Sequence, residues 1–398
     1  MIDNLPNGWR VEELGNCVDI LDNQRIPLNN QDREERIKGK NISELFPYYG
    51  ATQQVGYIDD FLFDEELVLL GEDGVMFYDK DKQKAYLING KSWVNNHAHV
   101  LRAKKNITIN KYLVNFLNTF HYKGFVSGAT RLKLNQSRMA KIPIPIPPLE
   151  QQKKIVKVLD LTSNLIEKQK ELLKKYDLFL KSKFIEMFGD PISNPMGWEN
   201  DVLSNVCPNK GDFVDGPFGS DLKVSDRTDE GIRIIQINNV GENEFRDKNK
   251  AFIRQEKYLT LKRHEVLQND IIIAKMGEPI ARSCFLPKHI DKAIIVADCM
   301  RMRITNNDYN RVFICFYLNF YTTKVLIDNL SHGSTRTRIN LSILKTLEII
   351  KPKVELQNKF ALIVEKIETI KEKENQKLKQ MNDLHNSMMN KAFKGEIK

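Results

Sequence analysis

The chain has 398 residues, 41% hydrophobic and 28% charged, with 61 Lys+Arg against 52 Asp+Glu for a net charge of +9. That length has room for two or more domains, each with its own core, and the basic balance suits a polyanionic partner. Composition excludes a disordered chain, the five scattered cysteines exclude a disulfide scaffold and read as reduced thiols, and neither a bilayer-length apolar run nor a signal-peptide core is present, which points to a soluble cytoplasmic protein.

Residues 1–146 read as the first globular unit. LPNGW at 5–9 is a turn, and the runs 46–74 and 85–103 are aromatic and β-branched stretches broken by glycine, which predict strands joined by tight turns. A short helix near 111–120 carries Leu113, Phe116, Leu117 and Phe120 on one side. GATRLKLN from Gly128 then leads through a proline-rich strand into residues 147–190, a helical rod opened by Pro147, Pro148 and Glu150 and stopped by Gly189 and Pro191. Its apolar stripe includes Ile155, Leu159, Ile166, Leu173, Leu180 and Phe184 at heptad-like spacing.

Residues 191–350 repeat the pattern. NPMGW at 194–198 answers LPNGW, DGPFGSDLK at 215–223 is a glycine-rich turn, three buried strands follow, and a helix is expected over 309–326. GSTRTRIN from Gly333 answers GATRLKLN, and a second rod over 351–398 carries Phe360, Ile363, Ile367, Ile370, Leu378, Leu384 and Met388. The offset 352 − 147 = 205 pairs Pro147 with Pro352, Gln152 with Gln357, Arg131 with Arg336 and Phe188 with Phe393, while the tryptophans give 198 − 9 = 189, so the second copy has gained length after its tryptophan. The chain is an internal duplication. Its expected fold is α+β: two pseudo-symmetric mixed globular domains joined by two long antiparallel helices, paired as a coiled coil through Leu159, Ile166, Leu173, Leu180, Ile363, Ile367, Leu378 and Met388.

Catalytic motifs are missing. NGKS at 89–92 lacks the first glycine of a phosphate loop and reads as a hairpin turn. The NDIIIAK segment has Asp270 and Lys275, but Ile273 stands where a nuclease core needs an acid. His97 and His99 lack a second ligand pair, so no metal site is expected. Glu72 and Asp73 read as solvated turn acids.

The duplicated Gly-Trp openings, the Gly-Ala/Ser-Thr-Arg turns, IPIPIPPLEQQKKIVKVL, FPYYGAT, VNNHAHVL, GPFGSDLK and NDIIIAKMGEPIARS together resemble the specificity subunit of type I restriction-modification systems. The resemblance implies a non-catalytic, sequence-specific DNA-binding protein with no cofactor of its own. Each globular unit would be a target-recognition domain for one half of a split double-stranded DNA target. The rods would set the spacing and dock two methyltransferase subunits, which bring S-adenosylmethionine. Up to two motor-nuclease subunits, using ATP and magnesium, would join where DNA is cut. Half-site centres near one helical turn, roughly 34 Å, or a multiple, suit such pseudo-symmetric readers. A helical scaffold without a restriction partner is the alternative, though it has no need of two basic, strand-rich units.

Cations for phosphates and Arg, Lys, Asn or Gln for base edges nominate the contacts. In the first unit they are Tyr49, Gly50, Ala51, Thr52, Lys91, Asn95, Asn96, His97, Thr130 and Arg131. In the second they are Phe218, Gly219, Ser220, Lys223, Asn238, Asn239, Lys275, Arg282, Thr335 and Arg336. The duplicated Arg131 and Arg336 also admit a structural reading, as members of a salt bridge.

Overall fold

The computed structural model describes residues 5–331 and 338–397. Two compact units divide the chain: residues 1–170 with 376–398, and residues 171–375. The long helices span Leu149–Phe188 and Val354–Phe393, 40 residues each, so each is about 60 Å long. Either unit therefore contains a stretch of both. Within the first unit the two stretches run antiparallel, since Gln151 Nε2 donates to the Ile397 carbonyl at 3.3 Å and Thr162 Oγ1 meets His385 Nδ1 at 2.7 Å. Within the second, Lys371 Nζ pairs with Asp177 at 2.8 Å, and Phe184 and Phe188 pack edge-on against Phe360 with centroids 5.5 Å apart.

Leu159, Ile166 and Leu180 are buried, and Leu173, Ile363, Ile367, Leu378 and Met388 are half-buried. Heptad spacing also turned Ile370 and Leu384 inward, but they are 38% and 50% exposed, while Val156 and Val364 are buried. An α-helix turns once per 3.6 residues, so a stripe spaced at 3.5 drifts about 20° per heptad off the contact face unless the helix supercoils. Among the described residues no helix is long and apolar enough to cross a membrane.

The first unit holds a four-stranded sheet in the order Val18–Ile20, Ala98–Ala103, Leu67–Gly71, Ala85–Ile88, and a second in the order Gln53–Ile58, Phe46–Gly50, Lys91–Val94, Phe63–Asp64. The second sheet contains a parallel pair, Tyr48 opposite Trp93. The turn at Asn89–Gly90 is thus not a hairpin: it joins strands belonging to different sheets. The helix Asn110–Thr119 buries Tyr112, Leu113, Phe116 and Leu117, and Phe393 packs edge-on against Tyr112 and Phe116.

The second unit repeats both sheets, as Phe213–Asp215, Cys299–Met302, Ile271–Ala274, Ser283–Cys284 and as Arg227–Thr228, Phe252–Ile253, Ile232–Ile235, Lys292–Ile295, Glu265–Leu267. Ile235 takes the place of Tyr49, since their carbonyls accept from Val296 N and Asn95 N, and Lys275 takes that of Glu72, since Ile339 N and Leu134 N donate to their carbonyls. The offsets are 235 − 49 = 186 and 275 − 72 = 203. The gained length therefore lies between Ile235 and Lys275, where the strand Phe252–Ile253 and the helix Gln255–Thr260 are found. The expected helix over 309–326 is two helices, Arg311–Asn319 and Tyr321–Leu330. Phe320 between them is extended, and its amide turns back to the Tyr317 carbonyl.

Buried polar groups fix the same frame twice. Gln152 Nε2 donates to the Pro147 and Ile107 carbonyls while Gln357 Nε2 donates to those of Pro352 and Asp308. Asn118 donates to the Ala85 carbonyl and Asn319 to that of Ser283, each holding the edge strand of its sheet. The Gly-Trp turns close with Gly8 and Gly197 at φ 88° and 67°, a region that glycine enters without steric cost. Trp9 Nε1 then donates to Gln151 and Trp198 Nε1 to the Phe188 carbonyl, fastening both turns to the central helix. The five cysteines are free and buried, and burial pushes the Cys17 thiol up to about 11.

Candidate nucleic-acid interface

In the first unit the turn Asn95-Asn96-His97, where the second sheet passes into the first, is a meeting point. Asn95 N donates to the Tyr49 carbonyl and Asn95 Oδ1 accepts from His97 N. Gly50 lies against Asn95, and a Cβ there would meet Asn95 Nδ2 at 3.1 Å. The Ala51 carbonyl lies beside Gly71, so the turn Gly50–Thr52 borders the loop Gly71–Gly74. His97 Nδ1 and Arg131 Nη2 reach the same oxygen of Asp73, at 2.9 and 2.6 Å. Glu72 takes Arg25 Nη1 and Lys133 Nζ, both at 3.0 Å, and Arg25 Nη1 also donates to the Ala98 carbonyl.

The two acids read as solvated turn residues are therefore the anchors of a basic cluster. Arg25, Asp73 and Lys133 escaped sequence reasoning because partners as far apart as Asp73 and Arg131, 58 residues, or Arg25 and Glu72, 47 residues, leave no local pattern. Thr52, Asn96, Thr130 and Arg131 are exposed; Tyr49, Ala51, Asn95 and His97 are half-buried. Lys91 lies apart: it begins the strand that ends at Val94, about 10 Å short of the turn, with its ammonium 4.7 Å over Phe61. His99 is no ligand either, since its ring nitrogens go to Asp22 and the Leu134 carbonyl.

The second unit builds the equivalent turn from Val296, Ala297 and Asp298. Val296 N donates to the Ile235 carbonyl, Lys275 N to that of Asp298, and Arg338 Nη2 stands 3.6 Å from the Asp298 carboxylate. Gly216 packs so tightly on the Val296 carbonyl that a Cβ would lie 1.9 Å from its oxygen. The loop Gly216–Lys223 therefore starts against this turn. Phe218, Gly219, Ser220, Lys223 and Asn238 are exposed.

Three nominated residues are not. Asn239 is fully buried, its side chain donating to the Arg246 and Lys248 carbonyls and accepting from Gln236 N, so it holds a loop. Lys275 is 7% exposed and its Nζ is paired with Asp215 at 2.5 Å. Arg282 donates to the Val240 and Pro279 carbonyls, and burial lowers its pKa. All three carry base-reading side chains in sequence, yet buried hydrogen bonding already consumes them. Thr335 and Arg336 lie outside the described residues. Asp270, the other half of the NDIIIAK pair, is held by two bonds from Arg303 at 2.8 Å.

Beside Asn238 opens a cavity of about 1270 Å3, with Met276, Pro279, Phe320 and Lys324 in its lining. Burial there pushes the Lys324 ammonium down to about 7, and its Nζ donates to the Ile280 carbonyl at 3.0 Å.

Residues 6–175 and 220–380 match the family described as the type I restriction modification DNA specificity domain. S.HindORF215P of Haemophilus influenzae, named for the same class of specificity subunit, is 28% identical over 383 residues, 93% of this chain and 90% of that protein. The type I restriction enzyme MjaVIII specificity subunit of Methanocaldococcus jannaschii is 23% identical over 424 residues, 99% of this chain and 94% of that one. The crystal structure of a type I restriction-modification S subunit from M. genitalium aligns with a TM-score of 0.55 at 14% identity, covering 99% of this chain and 97% of that chain, a likeness of fold. The chain, with that domain in both its halves, belongs to the specificity subunits of type I restriction-modification systems.

Proposed function

We propose that each unit reads one half of a split duplex target, and that the long helices set the gap between the halves and dock two methyltransferase subunits. As a family member the chain recognises DNA and leaves chemistry to its partners. Methyl transfer belongs to subunits that bring S-adenosylmethionine, and cutting to motor-nuclease subunits that use ATP and magnesium, all in the cytoplasm.

One observation carries this reading. The same turn of the duplicated fold, 95–97 in one unit and 296–298 in the other, borders an arginine–aspartate pair in each copy, Arg131 with Asp73 and Arg338 with Asp298, although the side chains of the turn differ between the copies. A shared frame with unlike edges suits two readers of unlike half-sites. In this reading Arg131 takes a phosphate once DNA displaces it from Asp73, and Asn96 and Asn238 face base edges.

Methylation mapping of DNA from cells carrying the gene with its methyltransferase partner tests the proposal. The expected result is a two-part motif whose halves differ. A single undivided motif, or an unchanged motif after exchanging residues 191–350 for those of a relative, would overturn it.

A further inference from the structure

The proposal below rests on the DNA-reading assignment and concerns Phe218. This side chain is 82% exposed, the most exposed large hydrophobic residue among those described. An aromatic ring left in water at the tip of a loop usually signals a floppy loop, but this one is built. Its entry is fixed where Gly216 N donates to the Cys299 carbonyl at 2.9 Å and the Gly216 backbone lies flat on Val296 with no room for a side chain. Pro217 is buried. Beyond the ring, the amides of Asp221 and Leu222 both return to the Phe218 carbonyl, Leu222 packs into a small core with Ile253 and Tyr258, and Asp226 is tied to Lys257 at 3.1 Å. Both stems are thus anchored, and the same loop carries an exposed Lys223.

The equivalent place in the first unit makes the contrast. There the Ala98 carbonyl, matching that of Cys299, accepts from the Arg25 guanidinium instead of a backbone amide. Arg25 is folded back on the turn, 14% exposed, and no aromatic side chain projects from that loop.

The geometry points to Phe218 as a wedge that enters the base stack of the half-site read by the second unit. A rigidly presented apolar ring on a loop that also exposes a cation is an arrangement by which proteins unstack a base step and kink a duplex. Its loop and the segment leading to the proposed base reader Asn238 start from one place, since the Ile235 and Gly216 backbones both lie on Val296. The unstacked step belongs to one half-site only, and a flexible pyrimidine–purine step accommodates it best.

The test uses the full chain assembled with its methyltransferase subunits on a duplex bearing the mapped target. 2-Aminopurine is placed in turn at each step of both half-sites, away from the methylated adenine, whose own extrusion would give a signal. Wild-type complex should raise the fluorescence at a step of one half-site. Phe218→Ala should abolish the rise and speed dissociation about tenfold without changing the salt slope, whereas Phe218→Trp should keep both properties. A rise that survives Phe218→Ala, or no rise with wild-type protein, overturns the wedge and leaves the recognition reading standing. A wild-type complex that does not prefer this duplex over a scrambled one overturns both.

Discussion

The two units are copies in their interiors and opposites at one edge. Gln152 and Gln357, and Asn118 and Asn319, hold matching carbonyls through matching bonds. At the turn, Glu72 with its cations Arg25 and Lys133 is replaced by Lys275 with its carboxylate Asp215. His97 is likewise replaced by Asp298, and Asp73 by Met276. Interior positions are constrained because an orphaned buried carbonyl is expensive. Edge positions need only remain paired, so a charge can change sign provided its partner does too. In the proposed function, two chemically unlike surfaces on one frame would let a single fold read two sequences.

The largest expected effect tests the frame. Gln357→Leu and Gln152→Leu each leave two buried carbonyls without donors and should each lower stability by about 3 kcal/mol, read by denaturant unfolding. A neutral result in one unit would break the equivalence.

Lys324 sharpens the comparison: the first unit also buries a lysine, Lys84, but that one lies beside the edge strand and donates to the Asp79 carbonyl, whereas Lys324 comes from a helix and donates to that of Ile280. With its folded pKa near 7, against 10.5 for the free side chain, the unfolded chain binds more protons between those values. Stability therefore rises with pH across that window; the penalty is full below about pH 7 and gone above 10.5. Lys324→Met should raise stability by about 2 kcal/mol at pH 6 and have little effect near pH 10.5, measured by thermal unfolding at both. A gain independent of pH would contradict the assignment.

Asn238→Ala probes the edge. Loss of a base contact should weaken binding by about 1–2 kcal/mol for duplexes with one intact half-site and leave random DNA unaffected. Equal weakening on both would make Asn238 a backbone contact.

Asp73→Asn is the mildest. Weakening the hold on Arg131 and His97 should tighten non-specific binding about threefold at low salt and steepen the salt slope by up to one unit. An unchanged slope would show that Arg131 never reaches phosphate.

The long helices, the duplication and the strand-rich units were legible because periodicity and repeats are written along the chain. The edge was less so. Asn239, Lys275 and Arg282 look like base readers until the fold reveals their buried partners. Asp73 looked idle until Arg131, 58 residues on, proved to be its counter-ion. Partnership between distant residues depends on which strands become neighbours, and that has no local signature. The break at Phe320 had the same cause: Asn319 turns its amide to the edge strand at Ser283, so the helix ends there.

Phe393, buried against Tyr112 and Phe116, gives the molecule an order of birth. The N-terminal unit is finished by residues 376–398, which leave the ribosome more than 200 codons after residue 170. At about 5–20 residues per second that is a wait of roughly 10–45 seconds, during which the early half of the chain has its aromatic socket open. The second unit, continuous in sequence, has no such delay. The protein that a cell makes from N to C terminus thus completes its later half first.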